Sequence, residues 1–531
     1  MTPGTITPYR SRQTAKQDGF WQLAHAEWTK FRTLRGWMIA VVVAALLIDV
    51  IGLLVIRPHD QCGGSCWPSV PIGPGGEAVN DSFYLVRQPL AGNGSITVRV
   101  TSLTGATESG TGGRVLPGQT QSLRSDLMPW AKTGIIIKQS TRPGSAYAAI
   151  MVTGSHGVRM QYNYTGDLAG LPGTVSAASP RWLRLIRSGN TITGYDSANG
   201  SDWAKVGTVH LAGLAGTVQA GMFATSPLDF TPNFPNTYGE SGGGNSPSLA
   251  TGVLGHVSLR GGRPGGQWAG IEVGADGAGY SGPQIGFRQA HGQFTVTGSG
   301  DIGPVVSGGV NTSYDTETFA IHLDGGVFLA LIIMAVIAAM FITMEYRRGL
   351  NRTTLAASPR RGRLLAAKAL VIGLVTFVLG TAAVAAAVII GTRISDDAGQ
   401  YILPVSWLTE VRVIAGTGAM LALASVLALS IGAVVRRSVA AVATVIVVTV
   451  VPYLVGVTGV LPVSASEWML RVGPAAAFAI EQSVPAYPQV IGQYAPPDYY
   501  PIAPWAGLAV LCGYAAVALA LAAYLLRRRD A

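Results

Sequence analysis

VIAGTGAMLALASVLALSIGAVVRRSVAAVATVIVVTVVPYLVGVTGVL, residues 413–461, reads as two apolar segments separated by one pair of arginines. Each segment exceeds the roughly 20 residues that a helix needs to cross about 30 Å of hydrocarbon. Neither holds an acidic or basic side chain, and Arg436 and Arg437 mark the turn where the chain leaves one span and enters the next. Such a hairpin implies sidedness, because short loops rich in Lys and Arg stay on the cytoplasmic face.

Outward from this hairpin, apolar stretches at 37–56, 327–341, 364–390 and 505–526 complete six spans and put both termini on the side of Arg436 and Arg437. The same side receives Arg10, Arg12, Lys16, Lys30, Arg32 and Arg35 before the first span. It also receives Arg347, Arg348, Arg352, Arg360, Arg361, Arg363 and Lys368 around the loop after the second span, and Arg527, Arg528 and Arg529 at the end. Only Asp18, Glu27, Glu345 and Asp530 oppose them. On the other side, segment 57–324 carries acidic and basic residues in equal number, and the two shorter loops are acidic on balance. The formal net charge of +10 is therefore an inner-face excess. Basic loops at span ends account for it fully, so it gives no reason to expect a nucleic-acid partner. The first span is followed by Arg57-Pro58-His59-Asp60 instead of a small-residue cleavage site, and reads as an anchor that stays in place.

Residues 57–324 differ in composition. Gly, Ser, Thr and Asn are frequent, and short β-branched or aromatic runs at 95–100, 134–138, 147–152, 158–164, 182–187, 191–195 and 218–223 alternate with turn residues. Trp182-Leu183-Arg184-Leu185-Ile186-Arg187 alternates apolar with basic, as a strand with one buried and one wet face requires, and Ser188-Gly189-Asn190 supplies the turn into the next strand. Residues 267–271 and 294–302 read as further strands forming a small appended sheet.

The run WLRLIRSGNTITGYDSANGSDWAKVG, residues 182–207, resembles the concanavalin-A-like or laminin-G-like jelly roll, with the match running over about 81–259. The resemblance implies an all-β sandwich and leaves its ligand open, since such sandwiches carry lectins, glycosidases and adhesive modules alike. A glycosidase needs two carboxyl groups flanking one bond. Asp196, Asp202, Asp167 and Glu108 fall in turns or apparent loops without that arrangement, so a structural role is expected for them, and for Trp182 and Trp203 a place in the core or at its edge. A glycan or another envelope component remains the ligand class to consider.

Cys62 and Cys66 flank Gly-Gly-Ser just outside the first span, where disulfides persist, and are expected to be linked; metal ligation is the poorer reading. Cys512, in the last span, reads as a small buried hydrophobe. Residues 19–34 place Phe20, Trp21, Leu23, Trp28, Phe31 and Leu34 among Glu27, Lys30 and Arg32, the pattern of an amphipathic helix at headgroup level. Asp49 is an acid well inside an apolar span. It reads either as part of a substrate pathway or subunit interface, or as a charge tolerated about two turns from the outer end.

AEWTKFRTLR entering the first span, and MEYRRGLNRTTLAASPRRGRLLAAK leaving the second, resemble the permease subunit of type 2 ATP-binding-cassette (ABC) transporters, particularly an actinobacterial group. The apolar stretch 463–480 is similar to the short re-entrant helices that this family places before its sixth span. The resemblance implies a coupling helix within 347–363, with Arg347, Arg348, Arg352, Leu355, Arg360 and Arg361 facing a nucleotide-binding subunit. It makes the amphipathic helix, with Trp21, Trp28 and Phe31, the connecting helix. It further implies a second permease subunit, identical or not, and a bacterial plasma membrane with both termini cytoplasmic. The chain contains no G-x-x-x-x-G-K-[ST], so no cofactor is expected on it and ATP would be bound and hydrolysed by the partner subunit.

The expected architecture is thus an α-helical polytopic membrane protein of six transmembrane helices, with a large extracellular all-β jelly-roll sandwich inserted between helices 1 and 2. Residues 1–36 would form the cytoplasmic tail and connecting helix, 37–56 the first span, 57–324 the sandwich and 325–531 the remaining five spans. The expected function is a non-enzymatic permease subunit. The alternative is a membrane-anchored carbohydrate-binding or envelope-sensing protein that does not transport.

Overall fold

The computed structural model describes residues 19–55, 70–109, 122–232, 243–262, 266–274, 284–306, 316–317, 319–320, 323, 325–347, 361–397, 401–457, 461, 463–485, 487–489 and 500–529. Two helices open the chain, α1 (Phe20–Thr33) and α2 (Arg35–Val55), and a large β domain follows. The chain then continues through α3 (Gly326–Arg347), α4 (Arg361–Asp397), α5 (Trp407–Val435), α6 (Ser438–Val457), the short α7 (Val463–Val472), a 3-10 helix (Pro474–Glu481) and α8 (Pro504–Arg529). Among the described residues, six helices are long and apolar enough to cross a membrane: α2 to α6 and α8.

Apolar periodicity sets how these helices pack. In α2 the side chains Val41, Ala44, Ala45 and Ile48 are buried, one stripe at helical spacing, while Ile39, Val42, Leu46, Val50 and Leu54 are exposed. The stripe meets α3 closely, and a Cβ on Gly326 would stand 2.9 Å from the Ile48 backbone. The central helix α5 packs against α3, α4 and α8. Small residues allow this approach: a Cβ on Gly418 would collide with Thr381 Oγ1 of α4, and one on Gly432 would stand 2.9 Å from the Ala339 carbonyl oxygen of α3. At the hairpin, α5 ends on Arg436 in a left-handed conformation (φ 61°), whose N–H closes on the Gly432 carbonyl. All eight residues of the 3-10 helix are buried against α5 and α8.

One long strand, Phe83–Ser109, organises the β domain. Its first part pairs with Thr217–Thr225 and Ala269–Val273, its middle with Arg181–Ser188, and its last part with Ser122–Ser125, while Ser248–Gly262 runs along most of its length. From Thr217–Thr225 the sheet continues through Lys132–Lys138, Tyr147–Thr153, Val158–Tyr162 and Gly166–Ala169; from Arg181–Ser188 it continues through Thr191–Ser197 to Ala204–His210. The two wings face each other across a core that includes Ile96, Val98, Ile135, Ile150, Leu183, Leu185 and Ile192. Every strand run expected at 95–223 is present. The strands at Ala269–Val273 and Gln293–Gly298 do not form an appended sheet. They pair with Phe83–Ser109 and Ser248–Gly262 and so belong to the 14-stranded sheet, because the long partner strands expose edges that these short runs complete.

The β domain rests on the helical part at one end. Val79–Asp81 pairs with Ile302–Pro304, which brings the two ends of the domain together. Beside this pair, Ala78, Val305 and Val306 pack with Leu403 and Val484 from the helical part. Thr316–Glu317 pairs in parallel with Tyr401–Ile402, and the Gln489 side-chain amide donates to the Tyr164 carbonyl at 3.0 Å.

Candidate functional site

At the opposite end, the arginine-rich one, four charged side chains meet beneath α1. Lys368, in the second turn of α4, points its ammonium at Glu27 Oε2 (2.6 Å) and Glu345 Oε1 (2.7 Å). Lys30 reaches Glu27 Oε1 at 2.7 Å and Glu345 Oε1 at 3.6 Å. Glu27 and Lys368 are only 1% and 2% exposed, so these charges have left bulk water and depend on one another. Two lysines and two glutamates leave the group neutral. The Lys368 ammonium also lies 4.7 Å from the centre of the Phe341 ring. Burial pulls the Lys30 pKa down, but the hydrogen bond from its ammonium to Glu27 and the negative charges of Glu27 and Glu345 outweigh this, and it stands above the ordinary lysine value.

The reason these residues converge is local. Helix α1 turns Ala24, Glu27 and Phe31 inward at helical spacing, and Phe31 sits edge-on to Phe341 of α3 with centroids 5.6 Å apart. Trp37, at the start of α2, closes the aromatic group at 5.7 Å from Phe341. Trp28 is 37% exposed and Trp21 76%, on the face of α1 turned away from the bundle. Because Glu345 lies in the last turn of α3 and Lys368 in the second turn of α4, the cluster holds α1 against both helices that flank residues 348–360.

Of the residues expected at a coupling surface, Arg348, Arg352, Leu355 and Arg360 lie outside the described residues, and Arg347 is the final residue of α3. Arg361 begins α4 and donates from Nη1 to the Leu526 carbonyl of α8 at 2.9 Å. Cys62 and Cys66 also lie outside the described residues. Cys512 is not buried as expected: it is an exposed free thiol on the outward face of α8, a helix with exposed Val517, Leu521 and Tyr524 along its length. Asp49 is half-buried on α2, and its Oδ1 has no hydrogen-bond partner among the described residues. A cavity of about 470 Å³ opens at the β-domain end of the helices, with Arg412, Gln482, Ser483 and Tyr500 among its lining residues.

In the β domain the acidic residues have structural partners. Asp167 pairs with Arg159 and accepts from Gln161, Asp202 accepts from Asn199, and Asp196 Oδ2 accepts the Leu171 N–H at 2.6 Å. Asp167 and Asp196 lie on strands, not in loops: Asp167 on the edge strand paired with Val158–Tyr162, Asp196 on a strand with a ladder on either side. For Glu108, on the long strand, only the backbone is described. Trp182 packs over Gly200, where a Cβ would approach its ring to 2.8 Å, and Trp203 lies 3.8 Å from the Arg184 guanidinium. Two buried ion pairs, Lys138 with Asp81 (2.7 Å) and Lys132 with Asp301 (2.6 Å), sit near the base of the domain. Among the described residues, no group of His, Cys, Asp and Glu is placed to hold a metal ion.

The sequence pattern gives Glu27 a place on the amphipathic helix and counts Glu345 and Lys368 as inner-face charge, but does not show that the three meet. The available signal was Lys368 itself, a lysine between alanines inside an otherwise apolar stretch.

No protein-family profile matches this chain, and no curated protein matches it. Among solved structures, a functionally unknown protein from Saccharomyces cerevisiae is similar over 38% of this chain and 84% of its own, at 11% identity and a TM-score of 0.21. Scytalido-glutamic peptidase with a transition state analog inhibitor is similar over 43% of this chain and all (100%) of its own, at 8% identity and a TM-score of 0.23. A mutant of the GH43 protein BlXynB from Bacillus licheniformis is similar over 29% of this chain and 26% of its own, at 14% identity and a TM-score of 0.16. Likenesses this slight carry no functional argument.

Proposed function

We propose that the chain is the permease subunit of an ABC transporter, a multi-pass protein of a bacterial plasma membrane driven by a separate ATPase subunit and paired with a second permease subunit. The observation that carries the reading is the Glu27–Lys368–Glu345 cluster, which locks α1 to the base of α3 and α4 on either side of the arginine-rich segment. An ATPase docked on that segment would push α1, α3 and α4 as one body, because separating them would strand buried charges at a cost of about 3–5 kcal/mol. Movement of this base relative to α5 and α8 would switch access from one face to the other.

The short α7 and the buried 3-10 helix before α8 supply the elements that the resemblance asks for before a sixth span. On this reading the β domain is a jelly roll on the outer face. Its seat on the loops after α4 and before α8 would let an envelope or glycan ligand influence the transport pathway.

The test is a substitution in the segment that would face the ATPase. Leu355→Asp places a charge in the apolar contact of the coupling helix while leaving the loop basic enough to fix topology. Binding of the ATPase and stimulation of its hydrolysis should both be lost in membranes that hold normal amounts of the variant. A Leu355→Asp protein that binds and stimulates like wild type contradicts the coupling assignment.

A further inference from the structure

A cavity of about 900 Å³ opens between the first turns of α4, the end of α8 and the start of α1. Its rim and its walls differ in chemistry. Arg361, Arg363 and Arg527 stand at the rim, with no acidic residue in the lining. Arg527 reaches across from α8 so far that a Cβ on Gly362 would meet its Nη2 at 3.4 Å. The walls are apolar: Leu365 and Ala366 on α4, and Ala516, Leu519, Ala520 and Ala523 on α8. The alanines at 516, 520 and 523 follow helical spacing and leave a trough along α8 where larger side chains would fill it.

We propose that this groove binds an anionic phospholipid, the phosphate held at Arg361, Arg363 and Arg527 and an acyl chain lying in the alanine trough. Charge selects the occupant. Three guanidinium groups at the mouth of an apolar trough, at the end of spanning helices, match a negative headgroup with a hydrocarbon tail, and basic pockets between such helices are the usual seat of anionic lipids. An identical second subunit would bring its own arginines toward these. The volume lies within the range of well-formed ligand pockets. A lipid wedged here would tie α8 to α4 beside the Arg361–Leu526 contact, and the inference does not depend on whether an ATPase binds.

The experiment is native mass spectrometry of the purified full-length protein with equal amounts of dioleoyl phosphatidylglycerol and dioleoyl phosphatidylcholine. Wild type should retain phosphatidylglycerol in preference. The double variant Arg363→Ala/Arg527→Ala, which spares the Arg361 contact to Leu526, should lower that preference roughly thirtyfold, the effect of two basic side chains on an anionic lipid. Ala520→Trp fills the trough without touching the arginines and should also release the lipid, whereas excess inorganic phosphate should not. Equal retention of both lipids by wild type, or a preference unchanged in the double variant, overturns the proposal. Displacement by phosphate alone would mean an ion site without a lipid tail. A loss of dimer in Ala520→Trp with lipid retention intact would mean a subunit interface.

Discussion

Asp196 takes the structural part expected of it, but on a strand and through a partner, the Leu171 N–H, that the sequence does not announce. Its carboxylate is buried, one oxygen accepts the Leu171 N–H, and the other has no partner among the described residues. Burial raises its pKa above the ordinary aspartate value, with the Leu171 N–H and Arg181 working in the opposite direction. The folded state therefore takes up the proton before the unfolded chain does as pH falls. Wild-type stability rises through that window and loses this contribution again as pH increases toward neutral. Asp196→Asn removes the buried charge and keeps an oxygen for Leu171. It should stabilise the protein at neutral pH by on the order of 1 kcal/mol, the cost of one poorly satisfied buried group. Thermal unfolding of the intact protein at neutral and acid pH checks this, and the gain should vanish in acid. The buried pair of Lys138 and Asp81 was equally hidden in the sequence, because residues 57 positions apart give no local sign that they will meet.

At the scale of elements, the period of the apolar pattern makes α2 and α3 and the strands between 132 and 225 legible in the amino-acid order alone. What the pattern does not carry is partnership. The strand Phe83–Ser109 is visible only at 95–100, since Pro89 and the Gly92-Asn93-Gly94 run interrupt its first part and its last part mixes Thr, Ser and Gly, and its extent is set by the strands that pair with it on both sides. The docking of α1 is also outside the reach of periodicity, because it depends on Glu345 and Lys368 arriving from elements more than 300 residues away. This docking makes a prediction. Lys368→Met leaves Glu27 and Glu345 facing each other in a buried site, with Lys30 alone to balance them, and should release α1 from the bundle. Amide hydrogen exchange within Phe20–Thr33 should then speed up by roughly a hundredfold, as a loss of about 3 kcal/mol implies. Exchange unchanged from wild type would show that the aromatic contacts of Phe31 alone hold the helix.

For the whole molecule, charge and hydropathy give the order of parts: an amphipathic helix, one apolar helix, a β domain and five further apolar helices. They do not give the seat of the β domain on the loops at 401–405 and 482–489, which rests on backbone pairing and a small apolar cluster that no periodic signal announces. That seat and the charged cluster at the other end place two attachments on one helical body, one for a domain and one for the segment that would receive an energy source. The account stands or falls on that energy source. The most direct measurement is affinity purification of the intact chain from its native membranes in mild detergent, with the co-purifying proteins identified and ATP hydrolysis assayed in the same sample. The account predicts a subunit carrying a G-x-x-x-x-G-K-[ST] motif in stoichiometric amount, together with ATP hydrolysis that is lost when that subunit is removed. A chain that purifies in good yield with neither such a subunit nor hydrolysis would contradict it.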